Sequence, residues 1–356
     1  LKKEFYKDTE NLETVEALYE AQRISFAPVV FQVARVLRDL NILDELIKNE
    51  NGLSIDEIVE KTNLSEYSIS VLCETGISAK ILYEKDDKIF ISKIGFFINN
   101  DEMTKVNMNF NHYVNYKGLY NLEDSIKNKK AEGLKVFGEW ETIYPMLSSL
   151  PKEAQNSWFA FDHYYSDSGF YEAIEYLCKL NMNSILDIGG NTGKFAVEIT
   201  NKIPNIDVTI MDLPQQIKLA KKNIYEKELN NVSFIEHNIL YDEIKELRKF
   251  DVIWMSQFLD CFDDKQIEEI LIKVQALMEE NSFICIMEPF WDRQGNEIAS
   301  YCIINTSPYF TAMANGYSKM FRYSNFEKIL FKANLEIVEI IDNIGLGQTI
   351  IRLKKK

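Results

Sequence analysis

Positive charge is in short supply. Lys and Arg number 40 against 55 Asp and Glu, a formal net charge of -15. A surface of that sign repels a phosphate backbone unless a local basic patch overrides it, so nucleic acid is not an expected partner. The closing Lys354, Lys355 and Lys356 are too short a run to supply such a patch. Long apolar runs are also missing. No stretch is long enough to span a bilayer, and the opening LKKEFYKDTE has no apolar core of a secretory signal. Cysteine is sparse and unpatterned. Cys73, Cys178, Cys261, Cys285 and Cys302 form no CxxC pair and no metal-ligand spacing, which fits reduced thiols in a cytoplasmic protein without a metal. What is present is apolar side chain, 46% of 356 residues, enough for two domains or one large domain with an accessory part.

The first third reads as helices followed by a hairpin. Val30, Val33, Leu37 and Leu40 recur at helical spacing, as do Val36, Leu40 and Leu43, which predicts a long apolar helix from Val29 to Leu46 with Pro28 near its start. Ser54-Ile55-Asp56-Glu57 is a capping box that opens a short helix through Lys61, and a second helix runs from Ser65 to about Ala79. Residues 81–83 and 89–91 are apolar runs around the charged turn Glu84–Lys88, a hairpin signal. The sum is a winged helix-turn-helix. Its second helix would enter a DNA groove, but it carries Glu66 and Glu74 and no cation, so packing against a second subunit is the expectation.

Residues 108 to 182 are dense in aromatics. They predict a helical layer, a few of whose rings, above all Trp158, Phe161 and Tyr165, wall a pocket for a flat organic molecule. His163 lies in the same stretch as a structural or catalytic histidine.

The strongest signal follows. Residues 184–188 form a short apolar run like a buried parallel strand, Gly189-Gly190-Asn191-Thr192-Gly193 follows at once, and Lys194–Ile199 reads as a helix. Strand, glycine loop and helix make a nucleotide-binding turn, because glycine lets the backbone turn tightly and approach a ligand closely. A second strand ends at Asp212, 19 positions past Gly193, where an acid suits ribose hydroxyls. The loop reads D-x-G-G-x-x-G rather than the G-x-G-x-x-G of dinucleotide enzymes.

From LDIGGNTGKFA (186–196) onward, nearly the whole chain resembles the class I S-adenosylmethionine (SAM)-dependent O-methyltransferases with an N-terminal winged-helix dimerisation domain, of the caffeic acid and hydroxyneurosporene type. MDLP (211–214), HNIL (237–240), DVIWMSQFLDCFDD (251–264), FICIMEP (283–289) and residues 314–340 carry the rest of the likeness. The resemblance implies an α/β fold, a seven-stranded Rossmann-like domain at 181–356, a helical connector at 106–180 and a dimerisation domain at 1–105. It implies SAM as cofactor with S-adenosylhomocysteine (SAH) as product, a homodimer, a small hydroxylated acceptor of aromatic or polyene type, and neither membrane nor nucleic acid as partner. It places Asp187, Gly189, Gly190, Gly193, Asp212, Leu213, Asn238, Ile239 and Ser256 at the cofactor. Trp158, Phe161, Tyr165, Trp291 and Met313 would face the acceptor.

The match breaks at chemically important points. Asp260 stands where the family has its catalytic histidine, Cys261 and Phe262 replace the acid and aromatic beside it, and Ser256 replaces a lysine. Aspartate is a weak base at neutral pH unless burial raises its pKa. The expectation is that Asp260 is the base and Glu288 its partner, their mutual repulsion raising one pKa if they approach each other; the alternative is that Asp260 binds substrate or caps the helix at 263–278. Two other functions stay open: N- or C-methyl transfer or cofactor binding without transfer, and a cofactor-responsive DNA regulator. Two late features complete the reading: a capping box at Ser324 and Glu327, and strands around 337–341 and 349–353 flanking Gly345-Leu346-Gly347.

Overall fold

The computed structural model describes residues 5–6, 11–244 and 248–356. The chain divides into one unit, Asp8–Asn111, and a second built mainly from His112–Lys356.

In the first unit, α1 spans Thr14–Asp39 and α2 Ile42–Lys48. The single apolar helix predicted from Val29 to Leu46 is therefore corrected twice. It begins 15 residues earlier, because Glu13 and Glu16 close a capping box and Ala17, Leu18, Glu20, Ala21 and Gln22 are strong helix formers. Pro28 thus lies inside α1 rather than at its start and costs one ladder hydrogen bond, about 3 kcal/mol in a helix interior. The helix then breaks at Asn41, which takes a left-handed φ of 60°. The break lets Leu37 before it and Ile42, Leu43 and Leu46 after it reach one core. Next come α3 (Ile55–Thr62), opened by the Ser54–Glu57 capping box, and α4 (Glu66–Ser78), capped by Ser65. Strands β1 (Leu82–Lys85) and β2 (Lys88–Ile91) pair antiparallel. Their turn is shorter than predicted. Asp86 and Asp87 alone make it, both with positive φ, as a two-residue hairpin turn requires. Helices α5 (Lys93–Asn100) and α6 (Glu102–Phe110) end the unit. No helix among the described residues is long and apolar enough to cross a membrane.

The second unit opens with α7 (Leu122–Asn128), α8 (Lys152–Asp167) and α9 (Phe170–Leu177). The sheet then forms from β3 (Ser184–Ile188), β4 (Asp207–Asp212), β5 (Val232–Glu236), β6 (Phe250–Ser256), β7 (Met278–Glu288), β8 (Leu335–Ile344) and β9 (Gln348–Lys355), with α10 (Lys194–Lys202), α11 (Pro214–Glu226), α12 (Asp264–Val274), α13 (Glu297–Tyr309) and α14 (Tyr323–Lys332) between them. The strand order is β5-β4-β3-β6-β7-β9-β8, parallel except that β9 runs against both neighbours. The central strands are apolar on both faces and carry a core on each side, one around Leu186, Ile253 and Ile286, the other around Ile185, Trp254 and Met287.

Two helix starts differ from the sequence reading. Asp263, not Asp260, caps α12, in a capping box with Gln266, and the helix ends at Val274 rather than 278. The Ser324–Glu327 capping box does not form. Asp292 accepts the Tyr323 N–H at 2.7 Å instead, and Glu327 takes the Tyr323 hydroxyl at 3.1 Å.

Candidate active site

The chain runs outward from β3 through β4 to β5 and then crosses back to place β6 on the other side of β3, so the strand order reverses there. At such a switch point a crevice opens beyond the strand carboxyl ends, where open α/β sheets bind ligands. Here the crevice is a cleft at the carboxyl ends of β3 and β6. Its wall includes Asp187, Gly189, Gly190, Asn191, Ser256 and Asp162.

The loop after β3 is shaped by two contacts a side chain would destroy. Gly189 has φ +76°, and a Cβ there would enter the Phe258 ring; a Cβ on Gly190 would lie 2.6 Å from Asp187 Oδ2. Gly193, φ +79°, then starts α10. Asp187 is 2% exposed and its Oδ2 has no hydrogen-bond partner. Burial, with the nearby charge of Asp212 adding to it, pushes its carboxyl up to about 8. Such an acid is poised for a donor or cation supplied by a ligand.

Asp212, at the end of β4, is fastened by backbone amides. It accepts the N–H of Asn191 at 2.8 Å and of Leu213 at 2.7 Å, while burial pushes it up to about 6. Pro214 at the first helical position makes Leu213 the cap of α11. The His237 N–H donates to the Asp212 carbonyl at 2.9 Å, which brings the 237–240 loop alongside. In that loop Asn238 Oδ1 accepts the Leu240 N–H, and Lys273 donates to the carbonyls of Ile239, Leu240 and Asp242. Ile239 is 5% exposed. The Ser256 hydroxyl is buried without a hydrogen-bond partner.

Asp260 sits in a single 3-10 turn, Leu259–Cys261, just past β6. It is 6% exposed, with the Cys261 thiol 3.6 Å from its Oδ1. Burial pushes it up to about 7; the Cys261 hydrogen bond opposes this and the Asp162 charge adds to it. Glu288, at the end of β7, is fully buried. Burial holds its carboxyl well above the usual range, and the Asp260 charge raises it further. Its Oε1 accepts the N–H of Phe258 at 3.0 Å and Leu259 at 2.9 Å.

The aromatic stretch forms α8 as expected. Trp158 Nε1 donates to the Tyr309 hydroxyl at 2.7 Å, and Phe161 and Tyr165 pack together with centroids 4.9 Å apart. Burial raises Tyr309 well above its ordinary value. Trp291 stands apart from this group, with Arg322 over its ring at 5.2 Å. Met313 is fully buried, its sulfur packed where Gly118 lacks a side chain. His163 Nδ1 lies 3.4 Å from Asp167, which also binds Lys194, and the Asp167 hydrogen bond raises the histidine's pKa. The sequence reading passed over Asp162 and Asn191, both in the cleft wall. An acid within a run of aromatics is the visible signal for Asp162, and a place inside the glycine loop that for Asn191.

Residues 19–89 match the Dimerisation2-like domain and 164–334 the O-methyltransferase domain. Acetylserotonin O-methyltransferase of Gallus gallus is 23% identical over 81% of this chain and 84% of its own length. The S-adenosylmethionine-dependent methyltransferase SibL in its apo form superimposes with a TM-score of 0.70 at 18% identity, over 95% of this chain and 99% of its own. Human N-acetylserotonin methyltransferase in complex with SAM gives a TM-score of 0.63 at 15% identity, over 98% and 100%.

Proposed function

We propose, given that the chain belongs to the SAM-dependent O-methyltransferases with an N-terminal dimerisation domain, that it methylates a hydroxyl of a small aromatic or polyene-type acceptor with Asp260 as the base. The observation that carries this reading is the setting of Asp260, a buried acid beside the switch-point crevice whose carboxyl is pushed up to about 7. A base near the operating pH exists in its active form and still takes a proton efficiently. Burial thus gives an aspartate the basicity that the family draws from histidine.

The cofactor is SAM, and the loop's chemistry fits it. An orphaned buried carboxylate oxygen on Asp187 and a glycine pair that cannot bear a Cβ leave room and polarity for an amino-acid end. Asp212 is assigned to the ribose, Leu213 and Ile239 to the faces of the adenine, and Asn238 to its amino group. Gly189, Gly190 and Gly193 shape the cradle, and Ser256 offers its unpaired hydroxyl to the same cleft. When bound, SAM supplies a sulfonium methyl together with its own leaving group. The chain's work is then to align the acceptor, exclude water and remove a proton. Glu288 positions Asp260 by gripping the turn before it. Trp158, held by Tyr309, and Phe161 and Tyr165 wall the acceptor space, with Trp291 and Met313 backing it.

Asp260 in place of histidine also favours a second reading, transfer to nitrogen or carbon, or binding without transfer. One experiment separates them. Calorimetry with SAM on the wild type and on Asp212→Ala tests the cofactor site, and mass spectrometry of incubations with hydroxylated, amine and carbon-acid acceptors locates the methyl. Binding lost in the variant and mass gain on hydroxyl acceptors alone is the expected result. Gain on amines alone would overturn the O-methyl assignment.

A homodimer through the first unit is part of the same proposal. It is supported by the exposed apolar face of α1, with Val15, Leu18, Ile24, Phe26 and Val29 all more than half exposed. Sedimentation velocity at micromolar concentration tests it, a monomer being the contrary result.

A further inference from the structure

One charge in the cleft wall has no part in the scheme above. Asp162 lies on α8, yet it lines the same cleft as Asp187 and the glycine loop of the sheet. Asn191 of that loop donates to it, Nδ2 to Oδ2 at 3.4 Å. Burial pushes its carboxyl up to about 6, with the neighbouring His163 lowering it and Asp167 raising it. At pH 7.5 it is mostly ionised. The two basic residues of this wall are already engaged: His163 and Lys194 both bind Asp167. Asp187, in the same cleft, keeps Oδ2 buried and unpaired.

The cleft therefore presents one ionised carboxylate, that of Asp162 on α8, to the ligand space it shares with Asp187, and the two basic residues of its wall are engaged by Asp167. A ligand with no positive charge near Asp162 leaves that acid desolvated without compensation; a cationic group there relieves it. The two forms of the cofactor differ in this property. Both keep the amino-acid end assigned to Asp187; SAM adds a sulfonium charge where SAH, its product, has a neutral thioether.

We propose that Asp162 is a further cofactor-binding residue that reads the sulfonium charge of the cofactor, so that the cleft holds SAM more tightly than SAH. This inference rests on the cofactor site assigned above. Its consequence is that methyl transfer itself loosens the product, because the charge that Asp162 faces disappears with the methyl group.

The test is calorimetric titration of the wild type, Asp162→Asn and Asp162→Glu at pH 7.5 with three probes: SAM, SAH and sinefungin, which carries an ammonium in place of the sulfonium. The expected wild-type order is SAM and sinefungin tighter than SAH. Asp162→Asn should weaken SAM and sinefungin about tenfold, a plausible size for one partly desolvated charge pair. It should leave SAH within about twofold, and Asp162→Glu should restore the preference. Equal weakening of all three ligands in Asp162→Asn, or no change in any, overturns the proposal. Failure of the wild type to bind either SAM or SAH is a different result, and it overturns the cofactor site itself.

Discussion

Glu288 Oε1 accepts the N–H of Leu259 at 2.9 Å, one residue before Asp260, so the fully buried acid holds the turn that presents the proposed base. The two carboxyls also face each other electrostatically. Glu288 is driven well above the ordinary carboxylate range by burial and then by the Asp260 charge.

Asp260→Asn should cut kcat about 10²- to 10³-fold, the usual worth of a general base. Wild-type kcat should rise with pH through a step near 7, because the base acts only when deprotonated and its carboxyl sits at about 7. The step should vanish in the variant, while SAM affinity stays unchanged by calorimetry. A retained step assigns the titration to another group.

Glu288 separates shape from charge. Glu288→Gln keeps an acceptor oxygen for Phe258 and Leu259 and should change unfolding stability by less than about 1 kcal/mol. Glu288→Ala leaves two buried N–H groups unpaired and should cost about 2–4 kcal/mol in urea unfolding, with a fall in kcat. Equal losses in the two variants would show that the carboxyl charge matters more than the brace.

The ligand-free protein should be more stable at pH 5.5 than at pH 8. Asp187 and Asp260 have folded pKa values of about 8 and about 7, above the ordinary 3.8. Between 3.8 and those values the folded chain holds protons that the unfolded chain has lost, so stability falls as pH rises through that window. Each group contributes a slope of up to about 1.4 kcal/mol per pH unit. Urea unfolding across pH measures it, and Asp187→Asn should flatten the limb between pH 4 and 8. Stability that rises over this range contradicts the buried-acid account.

Gly190→Ala places a Cβ 2.6 Å from Asp187 Oδ2. The loop must move away from the one unpaired oxygen assigned to the cofactor, and SAM affinity should fall about tenfold or more for a strain of 1–3 kcal/mol. Calorimetry on the variant, with melting temperature as a folding control, decides it.

Much of the site was legible because its signals are local. An apolar run, a glycine loop, a helix and an acid 19 positions on lie within one stretch of chain, and β3, α10 and β4 form where that pattern places them. Some misreadings arise where the fold, rather than the local pattern, decides. Ser324 and Glu327 have capping-box spacing, but Asp292, from another loop, takes the amide first. The Val29–Leu46 periodicity is real, yet Asn41 breaks it so that two helices share one core. Asp162 escaped notice because helical periodicity does not tell which acid in an aromatic run turns toward a cleft; only the fold brings Asn191 beside it.

The place of β9 between β7 and β8 has a consequence for biosynthesis. Every parallel strand of the sheet leaves the ribosome before Gln348–Lys355, and until that segment arrives β7 stands as an open edge, with Ile284, Ile286 and Glu288 lacking the backbone partners they later find in Leu353, Ile351 and Thr349. An unpaired apolar edge of this kind invites pairing with another nascent chain. The segment also ties Gln348 to the carbonyl of Tyr165 at 2.7 Å, so the helix that walls the cleft is secured by the same late event. Protection of the β7 edge and the fastening of that helix thus arrive together, with one segment of chain.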